Sequence, residues 1–229
     1  MNVLIGHTGF IGSSLNQDYF NLRISSKDWK NISDNSISAD EVVITAPSGL
    51  KWKANQEPEK DLNNIEELLT NIKNKFKSIR RLILISSNDA ILKTSEYGKN
   101  RSYFYIQLQD YCLSNDIPFY AFFLGMTFGT KAKKGMVYDF MHGNFDYYKG
   151  GVYQLYPVSR LAKDIRYCID HSIHVALLCS EPIQTKEIKA LFGVKDNYES
   201  TEEYSLTRLG IALISKEEIL EEIKWITIH

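Results

Sequence analysis

Val3-Leu4-Ile5-Gly6-His7-Thr8-Gly9-Phe10-Ile11-Gly12 decides how this chain is read. A short apolar run meets three glycines spaced GxxGxxG. Such a run has the character of a buried strand. Gly6 permits a tight turn, Gly9 lets the backbone come close to a bound group, and Gly12 lets a helix pack closely on the strand. The first helical turn then offers unpaired N–H groups and the positive end of its dipole to an anion. A strand, glycine loop and helix in this order suit a dinucleotide pyrophosphate. Gly6, Thr8, Gly9, Phe10, Ile11 and Gly12 are therefore candidate contacts to it.

Working outward, strands and helices alternate. Strands are expected at Leu22-Arg23-Ile24, Glu41 to Ala46, Leu82 to Ile85, Phe119 to Leu124 and His174 to Cys179. Helices are expected from Gly12 to about Asp18, from Asp61 to Phe76, from Tyr97 to Asn115, from Val158 to His171, from Thr185 to Leu191 and from Lys216 to Trp225. The Asp61–Phe76 helix rests on Leu62, Ile65, Leu68, Leu69, Ile72 and Phe76 at helical spacing. The pattern predicts an α/β fold, Rossmann-like and doubly wound, with a mainly parallel sheet. The dinucleotide domain is expected over 1–125, rejoined by about 155–180. A small interleaved substrate lobe is expected over 126–229.

The 229 residues carry 27 basic and 28 acidic side chains, a net charge of −1. That balance argues against a protein built to coat nucleic acid. The three cysteines, Cys112, Cys168 and Cys179, form no CxxC pair, so core thiols are expected rather than disulfides or a zinc cluster. No metal site is expected from the five histidines. No apolar run approaches the ~20 residues of a membrane span. The N-terminus lacks the pattern of a secretory signal, so a cytoplasmic setting is expected.

The motifs together resemble the extended short-chain dehydrogenases/reductases, the group that holds nucleotide-sugar epimerases, dehydratases and reductases. Gly6-His7-Thr8-Gly9-Phe10-Ile11-Gly12 is similar to its glycine signature, and Ala46 to its alanine motif. Pro58 with Asn63-Asn64-Ile65 resembles the start of its next helix. Leu84-Ile85-Ser86-Ser87 resembles its serine strand, Tyr97-Gly98 the start of its Tyr-x-x-x-Lys helix, and Phe128-Gly129 its Tyr-Gly. Ser180-Glu181-Pro182-Ile183 and Leu209-Gly210 resemble later segments. The resemblance covers nearly the whole chain, which is short for that family.

It implies an enzyme that uses a nicotinamide dinucleotide to reduce, epimerise or dehydrate a nucleotide-activated sugar, in metabolism of the surface-polysaccharide kind. The alternative is a non-catalytic NAD(P)-binding sensor or assembly protein on the same fold. Tyr97 would carry the proton and Ser87 would polarise the reacting oxygen. The family's lysine is replaced by Arg101, four residues after Tyr97 and so on the same helix face. Arg101 would orient the ribose and support the tyrosine, although its planar fork is no simple substitute for an ammonium. Asp89 stands where a dehydratase would want a further carboxylate.

Ala46 and Pro47 are expected at the cofactor. Ser25, Ser26 and Lys27 end the second strand with no acid before Asp28, which favours NADP over NAD. Substrate contacts are expected from Ser87, Asn88, Lys51, Lys133, Lys134 and Arg160, the basic groups meeting a nucleotide diphosphate. Lys51, in Lys51-Trp52-Lys53, could also cover the nicotinamide. Between Lys27 and Glu41 there is little room for a full helix and third strand. The resemblance also implies a homodimer through the Asp61–Phe76 and Tyr97–Asn115 helices.

Overall fold

The computed structural model describes residues 1–148, 150–195 and 213–228. The chain forms two compact units. One is Met1–Phe123 with Ile165–Val175, and the other is Leu124–Asp164 with Ala176–His229. The Leu209-Gly210 segment lies outside the described residues.

In the first unit, β1 (Asn2–Ile5) is followed by α1 (Phe10–Ser14), β2 (Leu22–Ile24), β3 (Ile37–Ala39) and β4 (Glu41–Ile44). Then come α2 (Lys51–Gln56), α3 (Pro58–Lys75), β5 (Phe76–Ile79), β6 (Leu82–Ser87), α4 (Asp89–Leu92), α5 (Glu96–Ser114) and β7 (Phe119–Leu124). The sheet runs β7-β6-β4-β1-β2. β1 is parallel to both β2 and β4, and β4 is parallel to β6. Val3, Leu4, Val42, Ile44 and Leu82 to Leu84 are fully buried, because helices cover both faces. After β1 the chain moves one way to β2, then the other way to β4. The reversal between β1 and β4 makes their carboxyl ends the crevice where open α/β sheets bind ligands.

Local chemistry explains the main departures from the sequence reading. The first helix stops at Ser14, not Asp18, and a separate 3₁₀ turn spans Gln17–Tyr19 with Asn16 as its cap. Pro58 starts α3 from the first helical position, where its missing N–H costs nothing. Ile65, Leu68, Leu69 and Ile72 are its buried stripe. Phe76 fits the same helical period but begins β5 instead, because Ile37 pairs with it across a separate parallel ladder. Between Lys27 and Glu41 the chain holds only a 3₁₀ turn, Trp29–Asn31, and β3. β3 does not join the main sheet, so β2 is its edge.

The second unit carries β8 (Met126–Phe128), α6 (Met136–Met141), β9 (Val152–Tyr153) and β10 (Leu155–Pro157). α7 (Leu161–Asp170) and β11 (Val175–Ser180) begin in one unit and end in the other. The second unit is completed by β12 (Ile183–Gln184), α8 (Thr185–Ala190), β13 (Leu213–Ile214) and α9 (Lys216–Ile228). β10 pairs parallel with β8, β12 antiparallel with β9, and β11 parallel with β13. Phe140 packs with Phe145, Tyr148 and Phe192 in an aromatic core. The three cysteines are buried and free, as their scatter suggested.

Candidate active site

The glycine loop is built as its spacing requires. Gly6 has φ +90°, and a Cβ there would stand 2.9 Å from the Ala46 nitrogen and from Thr45 Oγ1. A Cβ on Gly12 would stand 2.3 Å from the Gly6 carbonyl oxygen, so only glycine lets α1 lie this close to the turn. Gly9 differs. A Cβ there would meet only the Gly6 oxygen, at 3.4 Å. Its face is open, and it caps α1 with extended backbone. The loop therefore fits a diphosphate: two glycines hold its shape and the third leaves the approach clear. Thr45 Oγ1 donates to the Ile5 and Gly6 carbonyls and ties the β4 end to the loop. Ala46 and Pro47 follow directly, joined by a cis peptide bond.

At the β2 end, Ser25 donates to Asp28 Oδ2 from both its backbone nitrogen and its hydroxyl, each at 2.6 Å. These hydrogen bonds hold the Asp28 carboxyl below the usual value, and His7 pulls the same way. The chain thus folds an acid back onto the strand end, although Asp28 lies beyond it in sequence. Ser26 and Lys27 stand exposed beside it. They line a cavity of about 400 Å³ with Trp29, Lys30 and Lys75.

The serine and tyrosine that the sequence singles out sit where β6 ends and α5 begins. Ser87 Oγ donates to Asp89 Oδ2 at 3.0 Å, and the Asp89 nitrogen donates back to Ser87 Oγ at 3.2 Å. Asn88 lies between them, its Oδ1 3.4 Å from Ser87 Oγ. α4 ends at Lys93, whose φ of 54° turns the chain into α5. Ser95 caps α5 by accepting from the Gly98 nitrogen. Gly98 is needed for the approach: a Cβ on it would stand 2.5 Å from the Asp89 carbonyl oxygen. That closeness sets the buried Tyr97, at the start of α5, beside the Ser87–Asp89 pair.

Burial pushes the Tyr97 hydroxyl above the ordinary 10.0 of a tyrosine. Arg101 opposes the rise, Asp89 adds to it, and the neighbouring Ser87 hydroxyl pulls it back in part. At neutral pH Tyr97 is protonated.

Arg101 is nearly fully buried, with its guanidinium carbon 4.3 Å from the centre of the Tyr97 ring. Its fork grips both Asp61 oxygens, at 2.9 and 3.0 Å, and it donates to the Ser48 carbonyl at 2.7 Å. A buried guanidinium needs such a bidentate partner. Asn100 donates to Asp61 and to the Pro58 carbonyl, and Asn55 accepts from the Tyr97 nitrogen at 2.9 Å. α2 and α3 thus clamp the start of α5.

Among the sequence candidates, the structure brings Ser87, Asn88, Tyr97 and Arg101 together, with Lys51 beside them. Lys51 Nζ pairs with Asp89 Oδ1 at 2.5 Å. Lys133, Lys134 and Arg160 belong to the second unit. There Arg160 pairs with Glu218 and lies 3.9 Å from Asp164, and burial lowers the Lys134 ammonium. Sequence reasoning missed Asp61 and Asn55. The one available signal was Arg101 itself, a cation on the inward face of a helix that required an anion somewhere. Among the described residues, no group of three or more His, Cys, Asp or Glu could hold a metal ion. No helix among them is long and apolar enough to cross a membrane.

No protein-family model matches the chain, and no curated protein matches it in sequence. Solved structures do match in fold. The UDP-N-acetylglucosamine 4-epimerase of Methanobrevibacter ruminantium M1, in complex with UDP-N-acetylmuramic acid, superposes with a TM-score of 0.70 at 14% identity, over 99% of this chain and 96% of that one. The UDP-glucose 4-epimerase of Thermotoga maritima, with UDP-glucose, gives 0.65 at 15% identity over 100% and 98%. The Thermus thermophilus UDP-glucose 4-epimerase, in complex with NAD, gives 0.65 at 13% over 100% and 98%. The glycine loop at the β1–β4 switch point and the near-complete superpositions lead to one statement: this chain has a Rossmann-type fold similar to that of the UDP-sugar 4-epimerases.

Proposed function

We propose that the chain is an NAD-dependent enzyme acting on a nucleotide-activated sugar, by epimerase-type chemistry. One observation carries the reading. Ser87 stands at the carboxyl end of β6 and bonds Asp89, against which the Gly98 backbone packs the Tyr97 start of α5, in the same unit as a glycine loop whose Gly9 face is open. The similar structures named above hold UDP-sugars or NAD, which supports the same reading.

When bound, the nicotinamide supplies hydride acceptance and return at the sugar carbon. The protein's own part is proton handling. Tyr97, which must first give up its own proton to become a phenolate, takes the proton from the sugar hydroxyl and returns it to the carbonyl oxygen, while Ser87 donates a hydrogen bond to that oxygen. Gly6, Gly9 and Gly12, with the first turn of α1, hold the diphosphate of the cofactor. Thr8, Phe10, Ile11, Ala46 and Pro47 border it.

NAD rather than NADP is proposed. In sequence, the strand end has no acid before Asp28, and that absence alone favours NADP. With Asp28 folded back onto Ser25, a carboxylate stands at the strand end, where it accepts from ribose hydroxyls and repels a 2′-phosphate.

Tyr97→Phe tests the enzymatic reading. Turnover of UDP-sugars with NAD should fall by at least ~10²-fold, the scale of a lost acid–base group. Unchanged turnover would remove Tyr97 from the chemistry. A second reading, the non-catalytic dinucleotide binder, has one observation in its favour: the Arg101 fork is occupied by Asp61 and Ser48. NAD binding by calorimetry without turnover of any nucleotide-sugar would favour it.

We also propose that the chain forms a homodimer. Phe104 and Leu108 are buried, and Tyr105 packs on Phe119 and Phe123. Ile106 and Leu113, 41% and 78% exposed, remain outward on α5. Light scattering decides the mass.

A further inference from the structure

The amino ends of the strands, opposite the glycine loop, gather three guanidinium groups. The β3–β5 ladder lies off the main sheet and sets the corner before β4 beside the corner before β6. The Arg80 nitrogen donates to the Ala39 carbonyl and the Val42 nitrogen to the Arg81 carbonyl, each at 2.9 Å, which holds the two corners together. Asp40 and Glu41 therefore meet Arg80 and Arg81. Arg166 of α7 and Tyr19 complete the lining of a cavity of about 190 Å³, all within the first unit. The six residues of β6 put about 20 Å of strand between these corners and the Ser87 end.

The hydrogen bonds show what this cavity lacks. All four carboxylate oxygens are engaged. Asp40 Oδ1 accepts from Arg80 at 3.1 Å, and its Oδ2 from the Met1 amino group at 2.6 Å. Glu41 Oε2 accepts from Arg81 at 3.1 Å, and its Oε1 from the Tyr19 hydroxyl at 3.0 Å. The guanidiniums are used far less. Arg80 and Arg81 each give one N–H to a carboxylate, and Arg166 gives one to the neutral Tyr19 hydroxyl at 3.1 Å. Among the described residues Arg166 has no carboxylate at ion-pair distance; Glu41 and Asp170 act on it from further off. Arg101 is the contrast, its fork closed on both Asp61 oxygens and a carbonyl. A guanidinium has five N–H donors, so three forks here keep most of theirs unspent, beside two carboxylates whose oxygens are taken.

We propose that this cavity is a binding site for a phosphoryl group, carried by a phosphomonoester or a diphosphate. Such a group brings nearly two negative charges and three acceptor oxygens around a tetrahedral centre. It can engage guanidiniums from three directions, whereas a carboxylate offers two oxygens in one plane. Bound there, it ties α7 to the starts of β4 and β6. The site is independent of the reading of Tyr97.

Calorimetric titration of pyrophosphate into the full chain tests the proposal, at fixed ionic strength and with NAD present to fill the glycine loop. Arg166→Gln changes an exposed side chain, so the fold should persist, as melting will check. It should weaken pyrophosphate binding at least ~10-fold, the scale of a lost charged hydrogen bond. Arg80→Gln, also exposed, should weaken it in the same direction. Glycerol 3-phosphate in a parallel titration separates the two sources: the tighter of the two names a monoester or a diphosphate as the natural group. Citrate, of similar charge but without phosphorus, should bind at least ~10-fold more weakly than pyrophosphate. No binding of either phosphate probe at millimolar concentration overturns the proposal. So does equal binding by Arg166→Gln, or citrate bound as tightly as pyrophosphate. The enzymatic reading stands or falls separately, on the turnover of Tyr97→Phe.

Discussion

Two alanine substitutions within the glycine loop should have opposite consequences, and Gly12→Ala is the more demanding of them. In an ordinary helix this change gains about 1 kcal/mol, because alanine is the better helix former. Here the new Cβ would stand 2.3 Å from the Gly6 oxygen and 2.8 Å from Thr45 Oγ1, whereas ordinary contact begins at 3.4 Å. A gap of about 1 Å must open against backbone. Gly6 has little room to retreat, since at φ +90° it is itself packed against the Ala46 nitrogen and Thr45 Oγ1. The contact cost falls near the upper end of the 1–3 kcal/mol of overpacking, about 3 kcal/mol. Subtracting the propensity gain leaves a net loss of about 2 kcal/mol, or roughly 4–8 °C in Tm for a chain of this size. Gly9→Ala meets only one atom at ordinary contact distance, with extended backbone that alanine adopts readily. Its cost is at most about 1 kcal/mol at a cap, yet its methyl fills the face kept open for the diphosphate. Calorimetric melting and NAD titration of both variants separate the roles. A Gly12→Ala protein that melts higher than the parent would refute the packing argument. A Gly9→Ala protein that binds NAD as well as the parent would remove the diphosphate from the loop.

Asp61→Asn should destabilise the first unit by about 3 kcal/mol, because it leaves the buried Arg101 without a countercharge; urea unfolding gives the value. Asp28→Asn should weaken NAD binding about tenfold, the scale of a lost charged hydrogen bond, and should narrow the gap between NAD and NADP in parallel titrations. Alkali should destabilise the protein. Burial raises the Cys179 thiol from 9.0 to about 11 and Cys112 to about 12, and Tyr97 is raised as well. The native state therefore keeps protons that the unfolded chain releases. Stability from these groups is present in full below about pH 9 and declines as pH rises from there through about 11–12. Denaturant midpoints across that range should fall, with a shallower slope in Cys179→Ala.

The local signals in the sequence are sufficient where one element decides its own form. β1, β2 and β7 lie where apolar runs place them, and α5 begins one residue before the expected Tyr97. Elements decided by distant partners are not legible. β5 exists because Ile37, Ser38 and Ala39 pair with it, which overrides the helical period that ends on Phe76. α2 carries no periodic signal of its own. Its six residues gain helical form beside α3 and α5, and its buried contribution is Ala54 alone. The fold is thus visible at the level of the sheet, and the additions around it depend on pairings across the chain.

The candidate site divides along the same line, and Arg101 shows why. The sequence exposes the departure from lysine but not its consequence, since the answer lies 40 residues away at Asp61. Read alone, Asp61 is an acid in the first turn of α3, suited to the helix dipole. Only the fold shows that it is the buried partner of a guanidinium. The same holds for Lys51, 38 residues from the carboxylate it meets. A role for it beside a phosphate assumes a free ammonium in the site mouth. Once Arg101 is committed to Asp61 and Ser48, and Lys51 to Asp89, the two cations near Tyr97 have different tasks. One fixes the start of α5 and covers the tyrosine ring. The other holds Asp89, which Ser87 also bonds, from the solvent side.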